Sequence, residues 1–505
     1  MKCFIVDSHE YIYPDIENYQ TASDSFVTRA VRGSFATCRL VIVDAENEVK
    51  ITVSDADCEI YEEIAIPVES NPGFDGGFMP HFPERIAPFL VYDCEKPSNG
   101  VITVKHKVTS VYLRFPVSED INATIDVSGE ISIPVEITAC GKPLPETLQL
   151  LFNYAPFMHE SAHGVRFGTE EFRELDRKYL KMMRDMHQNR AYIKAPWSRK
   201  NESGEWEFNF EYFIRRAKQL FDMGFEVLHI DGVGFRKAWD KPDIICRGMD
   251  CLSYECYEYL SKYFTALRNV LRENGWLDNG KFTIGIADEP NRFNATTYRA
   301  LSGMVRRFIP EIKIYDAVSY VEVYGAIDIW VPRVDEYEKY KEHFDRFRED
   351  GDEMWHYVCL FPREGGYVNR FMDIPLLATR YQFWGNYKFD LSGYLHWSVN
   401  VYQDGLDPFK GSCPDHINAG SKSILPPGDD KLIYPGDGEP WMSVRLEAQR
   451  ESAEDYEMLR AIAVKDKSLA DEICEEVFHN FHSFECDAIK FRNARNRLLE
   501  AYDRI

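Results

Sequence analysis

The sequence predicts a mixed α/β protein: a (β/α)₈ barrel with a β-sandwich before it and a helical segment after it. Three observations predict this. Residues 1 to about 143 carry short runs of alternating apolar and polar residues. Beyond Gly141-Lys-Pro-Leu-Pro145 the pattern switches to apolar strand-like runs separated by amphipathic stripes. Eight such runs fall within about 255 residues, the length and order of a closed α/β barrel.

In the first region, Phe35–Val43 and Val49–Val53 read as strands, and 125–137 alternates around a Ser128-Gly129 turn as a hairpin does. Short strands with turns between them suggest a sandwich. The boundary at Pro145 divides a sandwich at 1–143 from a barrel at 144–440.

The expected barrel strands are Leu148–Phe152, Ala191–Ala195, Phe225–Ile230, Phe282–Ala287, Lys313–Val318, Ile327–Val331, Met354–Phe361 and Gly393–Val399. Thr169 caps a helix whose first turn carries Glu170 and Glu171, and Phe172, Leu175, Tyr179, Met182, Met183 and Met186 follow at helical spacing. Phe210, Phe213, Ile214, Ala217, Leu220 and Phe221 form the next stripe, with Gly224 suited to its C′ position. Further helices are expected near 253–274, 335–349 and 374–387. Residues 401–440, rich in Gly, Pro and Asp, form a long loop that leaves strand eight from the active-site face. Residues 441–505 read as helical and are expected to pack on the barrel.

Charge narrows the function. The 505-residue chain has a formal net charge of −24. Nucleic acid draws its affinity from Lys and Arg, so it is an unsuitable partner; a neutral or cationic ligand suits better. No stretch is apolar enough for a membrane span. The first residues hold an apolar run too short for a signal segment, so a cytoplasmic location is expected unless a leader is absent. Cys246, Cys251 and Cys256 recur every five residues, which is not a zinc-ligand spacing, and the twelve cysteines are expected to be reduced, mostly buried thiols.

The chemistry points to one place. Phe282–Ala287 runs straight into Asp288, Glu289 and Pro290. Two acids at the C-terminal end of a buried parallel strand are poorly explained by packing, and that end of a barrel strand is where barrels do chemistry. Consecutive strand residues face opposite ways, so both acids reach one cleft only if the strand breaks there. Other strand ends carry Asn153, Asp231, Tyr320, Trp330, Arg333, Trp397, Asn400 and Tyr402, expected to line a polar cleft with aromatic walls fit for a glycan. His229 and His356 read as satisfied core histidines.

With these motifs in view, the chain resembles a known family. Ile286-Ala-Asp-Glu-Pro290, Ile327-Asp-Ile-Trp-Val-Pro332 and Gly393-Tyr-Leu-His-Trp-Ser-Val-Asn400 look like the family 123 glycoside hydrolases. Leu432-Ile-Tyr-Pro-Gly436, Ser443-Val-Arg-Leu-Glu447 and Glu454-Asp-Tyr456 are similar to the tail signature of the same group, domain of unknown function 4091. The resemblance covers about residues 145–465. It implies an exo-acting enzyme that removes β-linked N-acetylgalactosamine with retention. The substrate's acetamido oxygen would attack C1, Asp288 would orient and stabilise that group, and Glu289 would serve as acid and then base. It implies no metal and no cofactor. Two other readings stay open: a conventional retaining glycosidase with Glu364 as nucleophile and carboxyls about 5 Å apart, and a non-catalytic carbohydrate-binding protein on a barrel scaffold.

Overall fold

A computed structural model describes residues 1–72, 85–363, 366–403, 405–418 and 421–505. Its centre is a closed barrel of eight parallel strands: Gln149–Phe152, Arg190–Ile193, Val227–Ile230, Phe282–Ile284, Lys313–Ala317, Ile329–Val331, Glu353–Tyr357 and Gly393–His396. Strand one closes on strand eight, with Gln149 opposite Gly393 and Phe152 opposite His396. The eight strands follow the expected order, but several stop early at their C-terminal ends. Strand four ends at Ile284, because the amide of Ile286 donates to the Asp316 carboxylate at 2.8 Å and not to a neighbouring strand. Helices cover most crossovers; between strands five and six there is only a short 3₁₀ turn, Val321–Val323.

The helical signals hold locally. Thr169 Oγ1 accepts from the Phe172 amide at 3.2 Å, and Phe172, Leu175, Tyr179 and Met183 are buried. The helix Glu211–Asp222 ends with Gly224 at φ 91°, a left-handed C′ residue.

Residues 1–140 build a β-rich region of two sheets. In one, Lys2–Asp7, Ser34–Val43, Val108–Val117, Glu59–Val68 and Phe89–Ser98 lie in that order. In the other, Phe26–Val31, Ile131–Cys140, Ile121–Val127, Glu48–Ser54 and Val101–Thr103 do. Leu40, Ile42 and Val111 of the first share a core with Ile51, Ile125 and Ile133 of the second. The hairpin turn has positive φ at both Ser128 and Gly129, as tight hairpins require.

The sheets do not follow the expected boundary at 440. Ile433–Pro435 and Pro440–Ser443 add two strands to the first sheet, with Met442 opposite Glu95. The chain thus returns to its N-terminal region after completing the barrel. It then enters the helix Val444–Lys465, capped by Ser443 Oγ, which accepts from Leu446. This helix is buried on nearly every side, so it carries no amphipathic stripe. The expectation that the tail packs on the barrel is therefore incomplete: the helix lies between barrel and sheets. Glu454 and Glu451 accept from Ser34 and Thr37 of the sheets, Glu457 accepts from the Leu148 amide of the barrel at 2.9 Å, and Arg380 donates to Asp455 at 2.9 Å. Arg445 forks onto Asp93 at 2.8 and 2.9 Å, both fully buried.

One contact of this helix sets a pH dependence. Burial alone would lower the His187 imidazole, but hydrogen bonds to Glu146 and Glu454 lift it to about 9. A folded-state pKa above the unfolded one contributes stability that is complete below the unfolded value and lost as pH rises through the folded value. His187→Gln should therefore cost ~2 kcal/mol at pH 6 and little above pH 9, read from denaturant midpoints at the two pH values.

Candidate active site

The barrel lumen is filled by a layer of side chains that includes Leu151, Tyr315, Ile329, Val331, Trp355, Tyr357 and Leu395, with Tyr192 and Trp397 beside it. Above this floor, at the C-terminal mouth, the chain leaves strand four and turns. Gly285 has no room for a side chain without crowding Asp316 Oδ1, which would lie 3.1 Å from an added Cβ. The amide of Glu289 donates to Ala317 O at 3.0 Å, and Glu289 itself adopts φ 45°, the left-handed region. For a residue with a Cβ this conformation is strained, and strain of this kind gathers at functional sites. The kink removes the strand's alternation, so Asp288 and Glu289 face the same partner.

That partner is Arg236, which the sequence reading did not include. Its Nη2 lies 3.4 Å from Asp288 Oδ2 and 3.2 Å from Glu289 Oε2, and Nη1 donates to the Glu289 carbonyl. The guanidinium is stacked 3.4 Å from the centroid of Trp239, and its side chain is buried. From the lumen side, the Tyr357 hydroxyl donates to Glu289 Oε1. Burial and the charge of Glu289 push the Tyr357 phenol well above its ordinary value, so it remains a donor. Tyr192 and Tyr315 lie nearby with hydroxyls 2.5 Å apart, and both feel the charge of Asp288.

Asp288 is raised to about 7, first by desolvation among the walls of the mouth and then by the charge of Glu289, with Arg236 opposing. Its side chain is nevertheless 70% accessible. Water tempers the desolvation, and the like charge next door is the cause that survives exposure. The direction is upward. Behind them Asp316, buried and accepting from Tyr298 at 2.6 Å, is held up to about 8 mainly by burial.

The expected cleft residues divide. Asn153 is exposed at the mouth, where its amide bonds His396 O at 2.9 Å. Trp397 is half-buried beside the lumen layer and donates to Asp429 at 3.1 Å. Arg333 bridges to Tyr357 along the backbone and pairs with Asp335. Asp231 follows strand three and pairs with Lys194 at 2.9 Å. Tyr320 is half-buried at the start of the 3₁₀ turn.

Three others are not in the cleft. Trp330 is fully buried on the outer face of strand six, where it donates to Asp352 at 2.8 Å and stacks on Phe347 at 4.8 Å; its neighbours Ile329 and Val331 take the lumen. Asn400 is buried and clamps the backbone of Ala155 through both its amide atoms. The buried Tyr402 hydroxyl donates to Ile433 O at 2.8 Å. Strand eight ends at His396, so the chain has already folded back by the time it reaches these two. Glu364 lies outside the described residues. His356 bonds Asn386 at 2.7 Å and His229 bonds Thr283 at 2.5 Å.

A scan against protein families matches the chain over residues 156–462 to the catalytic domain of glycoside hydrolase 123. The chain belongs to glycoside hydrolase family 123. A family 123 chain is a glycosidase and acts on glycans. Among solved structures, a family 123 glycoside hydrolase from Clostridium perfringens, described for glycolipid glycan hydrolysis, aligns at 14% identity with a TM-score of 0.76. The alignment covers 100% of this chain and 98% of that one, and at this identity it shows the fold. A β-glucuronidase from Parabacteroides merdae aligns at 12% identity and TM-score 0.33 over 85% of this chain and 51% of that one, too weakly to carry an argument. No curated protein sequence matches. Asp288, Glu289, Arg236 and Tyr357 all fall within the family 123 domain.

Among the described residues, no group of three or more His, Cys, Asp or Glu is arranged to hold a metal ion, and no helix is long and apolar enough to cross a membrane. Cys246, Cys251 and Cys256 are buried free thiols. Arg236→Ala should lower kcat about 10²-fold, by analogy with loss of one preorganised charge partner. It should also move the acidic limb of the pH–rate profile upward, because Arg236 is the group that opposes the rise at Asp288.

Proposed function

We propose that this family 123 chain is an exo-acting, retaining β-N-acetylhexosaminidase that releases terminal β-linked N-acetylgalactosamine by substrate assistance. One observation carries the reading: Asp288 and Glu289 are turned by the left-handed kink onto one guanidinium at the barrel mouth. Two carboxylates that share one side of a site suit a division of labour between themselves better than the opposed pair of a conventional retaining enzyme. In this reading the acetamido oxygen of the substrate attacks C1 and closes an oxazoline. Asp288, ionised, orients the acetamido N–H and stabilises the positive charge that develops on it. Glu289 donates a proton to the leaving oxygen and then takes one from the incoming water. Arg236 and Tyr357 hold the Glu289 carboxyl between them, which restricts its rotation.

Support for the sugar comes from the motif resemblance, and the Clostridium perfringens structure described for glycolipid glycan hydrolysis supports a glycan substrate. The test is a panel of nitrophenyl β-glycosides with and without a 2-acetamido group, together with a thiazoline mimic of the oxazoline. Cleavage restricted to 2-acetamido sugars, with inhibition by the thiazoline, is expected. Equal cleavage of the plain β-galactoside would overturn substrate assistance.

A further inference from the structure

We propose that the pocket beside barrel strand three is a second sugar subsite, which holds a neutral sugar ring on the leaving-group side of the bond being cut. The inference rests on the glycosidase reading above. The pocket has a volume of about 770 Å³, within the range of ligand sites. Its walls are Trp197 and Asn209 at the open end of the hairpin Trp197–Lys200 and Trp206–Asn209, the first turn of helix Glu211–Asp222, and residues 231–235. Trp197, Tyr212 and Phe235 stand on its walls with 57%, 45% and 57% of their surface open to solvent. Arg199 lies over the Trp197 ring and Arg215 over the Tyr212 ring, both at 5.5 Å; even so, three exposed aromatic side chains around one concavity are a costly arrangement for a surface with no ligand. They match the apolar C–H faces of a pyranose, which presents hydroxyls at its edge and carbon at its face.

The polar groups that line it are mixed in sign: Glu211 and Asp231, Arg215 and Arg247. Asp231 is paired with Lys194, and Arg247 donates to Ser198 O at 2.9 Å. A rim neutralised in this way, on a chain of net charge −24, selects an uncharged ligand.

The pocket adjoins the catalytic mouth through one shared wall. The segment that forms its inner wall is hydrogen-bonded to the end of strand four, Val233 N to Gly285 O at 3.3 Å and Gly234 N to Ile286 O at 3.0 Å. Gly232 and Gly234 let this backbone lie flat: an added Cβ at Gly232 would lie 3.3 Å from Ile286 O, and one at Gly234 would lie 2.5 Å from Ile244. The next residue after Phe235 is Arg236, which grips both carboxylates. Glu289 is thus held from the lumen by Tyr357 and from the pocket side by Arg236. An exo-acting site admits only the terminal sugar into the mouth, so the rest of the glycan must leave past the acid. The aromatic pocket lies on that exit.

The experiment compares the native chain with the double variant Trp197→Ala/Phe235→Ala on two substrates: nitrophenyl N-acetyl-β-galactosaminide, and a trisaccharide ending in the same sugar. Neither residue touches the catalytic groups. The short substrate should keep its kcat/KM within about twofold. The trisaccharide should lose about 10- to 100-fold through KM, the worth of two aromatic stacks. Equal losses on both substrates, or none on the trisaccharide, overturn the proposal. So does a loss confined to the glycan displayed on a lipid vesicle, which would assign the patch to lipid. So does a native dimer in sedimentation that the variant abolishes. If the native chain cleaves neither substrate, the catalytic reading fails separately. Saturation-transfer NMR with the disaccharide lacking the terminal sugar then decides the pocket: signal in the native chain and none in the variant supports it, and no signal in the native chain overturns it.

Discussion

Glu289→Gln should lower kcat/KM for a sugar leaving group about 10²–10⁴-fold, the usual worth of a positioned general acid. The amide keeps the shape of the carboxyl and can still accept from the Tyr357 hydroxyl, so the site should fold unchanged. What it loses is the proton that the departing oxygen needs. The loss should therefore shrink with a nitrophenol leaving group, whose oxygen departs as an anion without help. The second step separates the roles further, because water must still be activated by a base. Azide, which needs no base, should restore turnover of the nitrophenyl substrate and yield a glycosyl azide. If Glu289→Gln loses the same factor on both leaving groups, Glu289 is not the acid.

Asp288→Asn should cost about 10²–10³-fold in kcat, the range for removing one preorganised electrostatic group. In the proposed role Asp288 must be ionised, and burial with the neighbouring Glu289 raises it to about 7. Native activity should accordingly fall as pH drops below that value, and the residual activity of the Asn variant should lack this acidic limb. Stability should move the other way. A carboxyl whose folded pKa lies above its unfolded one is destabilised in the folded state once pH rises through that interval. The Asn variant should therefore melt higher than the native chain at pH 8 and show no such gain at pH 3. Exposure of the side chain limits the size of the gain, so its sign and pH dependence carry the test. A pH–rate profile with the same acidic limb in both proteins would remove Asp288 from the reaction.

Much of this was legible in the chain. The order of the eight strands, the Thr169 and Gly224 helix signals and the position of the two acids follow from periodicity and from the strand-end rule. Trp330 illustrates what does not. Strand six is apolar on both faces, so its pattern does not fix which parity points into the lumen, and Ile329 and Val331 take that side. The apolar run of strand eight continues to Val399 in the sequence and so puts Asn400 and Tyr402 at its end, whereas the strand stops at His396. Their side chains are consumed by backbone groups of the returning loop. Arg236 comes from a loop with no periodicity, and its only trace in the sequence was a requirement: two adjacent acids need a cation. Tyr357 ends strand seven in the structure, but the apolar run continues to Phe361 in the sequence, so the strand-end rule that singles out Asp288 passes it over.

The buried pair of Asp93 and Arg445 bears on how the chain is made. Asp93 emerges from the ribosome long before Arg445, and the strand that carries it, Phe89–Ser98, gains its last neighbour only when Pro440–Ser443 arrives. Until then the nascent sheet has an open edge and a carboxylate without its fork of donors, a defect worth about 3–5 kcal/mol when one partner of such a pair is missing. The N-terminal region therefore waits, unfinished, through synthesis of the whole barrel. A fragment released after residue 143 should remain protease-sensitive and self-associate through that edge, and the chain should acquire its native state only once Pro440–Ser443 and Arg445 are available, in a single late step that joins them to the N-terminal sheet.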